Sequence, residues 1–332
     1  MTAPQGPPAT GRGGPVRVVA FGGGHGLAAS LRALRRCAPD LRLDITAVVT
    51  VGDDGGSSGR LRAERGGLPP GDLRQALVAL AADEPATRRS AGLFQHRFLG
   101  DSRTGLAGHA VGNLVISGLI ELLGDPVAAL EHAGSMLGAV GRVLPMSCQP
   151  VDIEARVRGA DPARPGEVRT VRGQHQVAVT SGRVEALRLT PQAPVACAEA
   201  VTAIGAADWL IFGPGSWYTS VLPHLLVPGL AEAIVASPAR RLVTLNLAAE
   251  KETLGLSVAD HLAALRWYLP ALVVDQVLAD AKAVGDPEPV ARAAESLGAR
   301  LVLAPVAVAD GTPRHDPDAL GAALVPVLGA DR

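Results

Sequence analysis

Lysine is almost missing from this chain: of 31 basic residues only Lys251 and Lys282 are lysines, and the rest are arginines. No G-x-x-x-x-G-K-[ST] stretch occurs, so phosphate binding by a P-loop is excluded. Nor is there an excess of either charge. The formal net charge is −1 with 19% charged residues, which argues against the clustered basic face of a nucleic-acid binder. Cys37, Cys148 and Cys197 are odd in number, far apart in sequence and without C-x-x-C spacing. That speaks against a disulfide framework or a structural zinc site, and each is expected to be a small core residue in a reducing compartment. No apolar run is long enough to span a bilayer, since residues 111–123 are interrupted by Asn113 and Glu121. Residues 1–14 are rich in Gly, Pro and Thr and lack an apolar segment. They read as a disordered tail and not a signal peptide, and a cytoplasmic protein is expected.

What the chain has is apolar mass and glycine. At 332 residues and 48% hydrophobic it can bury a large core, as one big α/β domain with an insertion or as two domains. The central stretch is residues 45–61, ITAVVTVGDDGGSSGRL. It opens as an apolar β-branched run, the pattern of a strand covered on both faces in a parallel sheet. It continues into Asp53 and Asp54 and then a turn of small residues, Gly55, Gly56, Ser57, Ser58 and Gly59. Exposed N–H groups and hydroxyls in such a turn can hold phosphate, while the two carboxylates can take a ribose hydroxyl, a divalent cation or a proton.

Residues 16–21 form a second buried strand that runs into Gly22, Gly23, Gly24, His25 and Gly26, followed by a helical pattern ending before Pro39. Strand, glycine loop, helix and strand make a βαβ unit with a right-handed crossover. Ligands of such sheets bind at the carboxyl ends of the strands, so both loops are expected to open onto one crevice. Gly24-x-Gly26-x-x-Ala29 with Asp53 is a loose dinucleotide fingerprint, weak when taken alone. Free N–H groups at a helix start favour a phosphate whatever it is attached to.

Asp72 is placed to cap a helix over 69–82, and Arg74 stands in its first turn, where a cation is unfavourable unless it meets an anion. Residues 87–99 read as helical, 100–110 as a polar loop containing His109, and 111–123 as a buried helix with Asn113 near its start. Residues 148–189 change to short alternating segments, including one at Val177 and Val179, separated by glycine and proline turns. This is an antiparallel β insertion. The parallel pattern then resumes with strands at 208–212, 241–247, 271–275 and 300–308. Gly213, Gly215 and Ser216 follow the first of these, Asn246 ends the second, and Arg314 precedes the last helix. The fold class read from this order is α/β, a Rossmann-like doubly wound, mostly parallel sheet with an antiparallel β insertion. Its expected divisions are a tail (1–14), the first part of the core (15–147), the insertion (148–190) and the second part of the core (191–330).

Six motifs occur in order: FGGGHGL (21–27), AVVTVGDDGGSSGRLR (47–62), GDLRQALVAL (71–80), LFQHRF (93–98), GHAVGNLVI (108–116) and IFGPGSWYTSVLPHLLVPG (211–229). Together they resemble the gluconeogenesis factor family, the YvcK-like branch related to the 2-phospho-L-lactate transferases (CofD-like proteins). The resemblance covers about residues 16–328. It implies a cytoplasmic protein that binds a nucleotide diphosphate sugar, typically UDP-N-acetylglucosamine, and acts in carbon metabolism and in control of cell shape and wall. The transferase relatives move a lactyl-phosphate group from a guanosine dinucleotide to a deazaflavin precursor with magnesium. The chain departs from the family at His25, where a Thr is usual, and at Leu256, where an aromatic is usual. A Glu250-Lys251-Glu252-Thr253 segment stands in place of Pro-Gly-Glu-Thr. Arg314 matches a ligand-side position, and its fork suits bidentate phosphate binding.

Three readings follow. In the first, a non-catalytic sensor holds the diphosphate on the Gly22–Gly26 amides and the 55–59 turn, with Arg314 adding charge and Asn246 and Asp53 selecting hydroxyls. In the second, Asp53 and Asp54 hold Mg²⁺ for a phosphoryl-type transferase, with His25 and His109 as candidate bases. The third, a nicotinamide oxidoreductase, rests on the loose fingerprint alone. A homodimer is expected, with the β insertion as its interface; no nucleic acid or membrane partner is expected, and the sequence names no protein partner.

Overall fold

The computed structural model describes residues 14–100, 105–248, 251–253 and 256–330. The tail over 1–13, residues 101–104 of the polar loop, and Glu250 lie outside the described residues. Seven strands form the main sheet: β1 (Val16–Gly22), β2 (Leu43–Val49), β3 (Gly141–Pro145), β7 (Trp209–Phe212), β8 (Arg240–Thr244), β9 (Gln276–Asp280) and β10 (Arg300–Ala304). Their spatial order is β10-β9-β8-β7-β1-β2-β3, and every neighbouring pair is parallel. β1, β2 and β7 are almost wholly buried, as the unbroken apolar runs require of strands covered on both faces.

The chain moves from β1 outward to β2 and β3, then returns to the other side of β1 and moves outward through β7 to β10. With right-handed crossovers this places helices on both faces. The helix α1 (Gly24–Leu41) packs on α3 (Pro70–Leu80) and on α12 (Pro317–Leu328), while α8 (Ala198–Ala206) packs on α9 (Pro228–Ala236). The reversal falls between β1 and β7, where Phe21 and Phe212 sit in register with stacked rings 4.9 Å apart. A crevice at the carboxyl ends is forced at that point.

The remaining strands, β4 (Asp152–Arg158), β5 (Val168–Arg172) and β6 (Arg183–Thr190), form a separate antiparallel sheet in the order β5-β4-β6. Several expectations need correction. The segment at Val177 and Val179 is not a strand but the helix α7 (Gln174–Val179), opened by Gly173 at φ 92. The small residues after Asp54 do not form a plain turn, because α2 (Gly56–Arg65) begins within them. Pro39 does not stop α1, which runs on to Leu41. The strand expected at 271–275 is instead β9, five residues later, because Leu272 and Val274 bury in the connection that leads to it. α5 (Val111–Leu123) buries only Gly112, Asn113 and Ile116 and leaves Leu122 77% exposed, so it is a surface helix. Cys37 and Cys197 are core residues, but Cys148, in the connection after β3, is exposed. Among the described residues no single helix is long and apolar enough to cross a membrane.

Candidate functional site

Four strand-end loops enclose a cavity of about 710 Å³ at the β1/β7 reversal. Gly23, Gly24, His25 and Gly26 come from the loop after β1, Gly215 and Ser216 from that after β7, Asn246 from that after β8, and Arg314 and His315 from the segment after β10. α7 of the small sheet closes one wall with Gln174. Gly26 makes the enclosure possible, since a Cβ there would fall on Pro214 O and Gly215 Cα. The Asn246 amide locks the opposing loop, accepting from Gly215 N and donating to Gly215 O, both at 2.8 Å.

α1 points its amino end into this space: its N-cap Gly23 has no side chain, its first turn holds no acidic residue, and its Gly24 amide is taken by the Asp72 carboxylate arriving from α3. An uncapped helix start carries unsatisfied N–H groups and a partial positive charge. The cationic side chains around it are arginines. Arg32, half-buried on the cavity wall, makes no hydrogen bond or ion pair among the described residues, and burial beside Arg35 and Arg36 lowers its pKa. Arg314 stands exposed on the rim, bonded to Asp310 Oδ2 at 2.8 Å and Thr312 Oγ1 at 2.9 Å. His315 Nε2 and Gln174 Oε1 are buried without a partner among the described residues. Unmet polar atoms, the amino end of a helix and a guanidinium with no anion among the described residues thus border one cavity.

Asp72 is the acidic group of the cavity. It does not cap α3, whose N-cap Pro69 has no side-chain bond. Its carboxylate reaches instead across to Thr50 Oγ1 at 3.2 Å and to the Gly24 amide. Burial, then the nearby Asp53 charge, pushes it up to about 7. A carboxyl poised there can exchange a proton with a ligand at neutral pH.

The family model for 2-phospho-L-lactate transferase CofD matches residues 18–302. The chain belongs to the CofD family. A Mycobacterium tuberculosis relative carried under the gluconeogenesis-factor name is 51% identical over 318 residues, covering 95% of this chain and 91% of that protein. The gluconeogenesis factor of Bacillus subtilis is 36% identical, covering 81% of this chain and 80% of its own. A crystal structure of a UPF0052-family protein from Bacillus halodurans superposes with a TM-score of 0.81 at 34% identity, covering 94% of this chain and 99% of that one.

Nine residues singled out in this CofD-family sequence line the cavity: Gly23, Gly24, His25, Gly26, Asp72, Gly215, Ser216, Asn246 and Arg314. Gly22 and Gly213 frame it from the strand ends. Asp53, Asp54, Gly55, Gly56, Ser57 and Ser58 follow β2 on the same edge of the sheet but do not line this cavity, contrary to expectation. Asp53 accepts from Gly55 N at 3.0 Å, and Asp54 accepts from His175 N at 2.8 Å, which gives α7 its N-terminal acceptor. Each carboxylate thus has one oxygen engaged by the backbone. Among the described residues no three His, Cys, Asp or Glu side chains converge on a metal position, so a cation here would take its other ligands from bound phosphate and water.

Arg74 and Asn113 form a second buried cluster. Arg74 Nε donates to Asn113 Oδ1 at 2.8 Å, Asn113 Nδ2 donates to Ser57 Oγ at 3.0 Å, and Ser57 Oγ meets His109 Nδ1 at 3.0 Å. Gln95 Oε1 accepts from Arg74 Nη1. Burial, then Arg97, lowers Arg74 to about 10, so it stays cationic at neutral pH. Sequence reasoning missed Arg32 and Gln174. The only signal for Arg32 was its spacing from Arg35 and Arg36 on a helix that starts at the glycine loop. Gln174 had none, because it arrives from the small sheet.

Proposed function

We propose that this chain is a cytoplasmic regulatory protein of the gluconeogenesis-factor type. It binds a nucleotide diphosphate sugar such as UDP-N-acetylglucosamine between the β1 and β7 loops, and acts in carbon metabolism and in control of cell shape and wall. The observation that carries the reading is the cavity's pairing of the amino end of α1 with the Arg32 guanidinium, which has no partner among the described residues. The diphosphate sits on the His25 and Gly26 amides and Arg32, Arg314 adds charge from the rim, and Gln174 and Asp72 meet hydroxyls. The volume suits a ligand of nucleotide-sugar size. Assembly as a homodimer is part of this reading, and sedimentation tests it.

A transferase resembling the 2-phospho-L-lactate enzymes is the second reading, favoured by Asp72 held near neutrality beside Asp53. Calorimetry with UDP-N-acetylglucosamine, NAD and GDP, with and without Mg²⁺, on wild type, Arg32→Ala and Arg314→Ala separates the two. Micromolar binding of the UDP-sugar, weakened at least about tenfold in Arg32→Ala and with no product by mass spectrometry, supports the sensor. Strict Mg²⁺ dependence with a converted product replaces it by the transferase.

A further inference from the structure

Cys148 and Cys197 are remote in sequence, but the fold returns them to one place. The chain leaves the main sheet after β3 through residues 146–151 and comes back from the small sheet through 191–197, ahead of α8. These two connections touch. Cys197 N donates to Met146 O at 3.2 Å, Cys148 lies two residues beyond that carbonyl, and the two thiols are near enough to perturb each other. Both are free thiols, Cys148 exposed and Cys197 buried. Their surroundings differ in a way that assigns roles. The contact with Cys197 lowers the Cys148 pKa, favouring the reactive thiolate. Cys197 Sγ donates to Glu199 Oε2 at 3.2 Å; contact with Cys148, then burial, and the Glu199 carboxylate keep it a thiol.

We propose that Cys148 and Cys197 are a peroxide-oxidisable dithiol pair, with Cys148 the attacking thiol, Cys197 the resolving thiol and Glu199 the proton acceptor. In the first step the Cys148 thiolate attacks one oxygen of hydrogen peroxide. An S–O bond forms, the O–O bond breaks, and hydroxide leaves as water, giving a sulfenic acid. In the second step Glu199 takes the Cys197 proton and the sulfur attacks Cys148 Sγ. The S–S bond forms, the S–O bond breaks, and the departing hydroxide takes up a proton as water. Two thiols lose two electrons, and one peroxide becomes two waters. The disulfide ties together the outgoing and returning connections of the small sheet, whose α7 supplies Gln174 to the cavity wall.

The test uses the full chain, reduced and then treated with a few equivalents of hydrogen peroxide. Expected are a mass loss of two hydrogens, a Cys148–Cys197 cross-linked peptide, a fall in titratable thiols from three to one, and full reversal by dithiothreitol. Cys37 serves as the internal control, since burial pushes it up to about 11 and it donates to Ala33 O at 3.2 Å. In Cys197→Ala, Cys148 accumulates as a sulfenic acid trapped by dimedone. In Cys148→Ser, at an exposed position, the Cys197 thiol survives peroxide. Glu199→Gln, which removes a charge that raises the Cys148 pKa, does not slow sulfenic-acid formation but slows disulfide formation at least about tenfold. Wild type that takes Cys148 to sulfinic acid while Cys197 stays titratable, or that loses Cys37 at the same rate as Cys148, overturns the proposal.

Discussion

Gly26 is where two loops meet backbone to backbone, and no side-chain movement can make room there. Gly26→Ala places its methyl against Pro214 O and Gly215 Cα and is expected to destabilise by about 1–3 kcal/mol and to weaken ligand binding, because the cavity floor opens. The contrast is Gly118, inside the exposed face of α5, where an added methyl would meet nothing within 4 Å and Gly118→Ala is expected to stabilise by about 1 kcal/mol. Denaturant melts of both variants check the pair, and equal signs would refute it. At this scale the sequence was informative about glycines and poor about charge. A glycine cluster after a strand announces a close approach. Arg32, by contrast, is one of 31 basic residues until the fold shows it on the cavity wall with no anion among the described residues.

Asp54 shows how an element can be held by a residue far from it. Its carboxylate accepts from His175 N, 121 positions away, and supplies the acceptor that Gly173 lacks at the start of α7. Asp54→Ala is expected to cost about 1 kcal/mol and to speed amide exchange across Gln174–Val179, leaving β4 and β6 protected. Unchanged exchange in that helix would show that Asp54 does not hold it. The alternating valines of α7 read as a strand because local pattern cannot see a capping group supplied by another loop. The same blindness displaced β9. ALVV is the most apolar stretch near it, yet the ladder begins at Gln276, where Asp275 has already bonded Arg241 N at 2.8 Å and set the register with β8. The glycine–serine start of α2 has little helical propensity, and it is fixed by tertiary contacts of Ser57 with Asn113 and His109. The convergence of the strand-end loops was legible because parallel topology alone places carboxyl ends together; which loops reach the cavity was not, because that depends on side-chain depth.

Across the whole molecule, two buried titratable groups set opposite pH dependences on the same fold. Asp72 has its carboxyl raised from 3.8 to about 7, so the folded state binds its proton more tightly than the unfolded chain does. That stabilisation is complete below pH 4 and is lost as pH rises through 7, a change of up to about 4 kcal/mol. His224 runs the other way. Enclosed against Phe21 and bonded to Val48 O at 3.0 Å, it falls from 6.5 to about 4, chiefly through burial. Its contribution is present above pH 6.5 and is lost as pH falls through 4, a change of up to about 3 kcal/mol. Between pH 4 and 6.5 the two slopes oppose each other, and removing either group tilts the wild-type curve in the direction of the one that remains. Asp72→Asn matches wild type near pH 4 and gains on it up to pH 8, while His224→Gln loses the His224 contribution and tilts downward relative to wild type from pH 4 to 6.5, with the lowered His109, His261 and His315 still opposing Asp72. Urea unfolding at half-unit pH steps reads both curves. Parallel curves for wild type and Asp72→Asn would mean that Asp72 is ionised in the folded protein throughout, and the near-neutral carboxyl at the crevice would be lost from both functional readings.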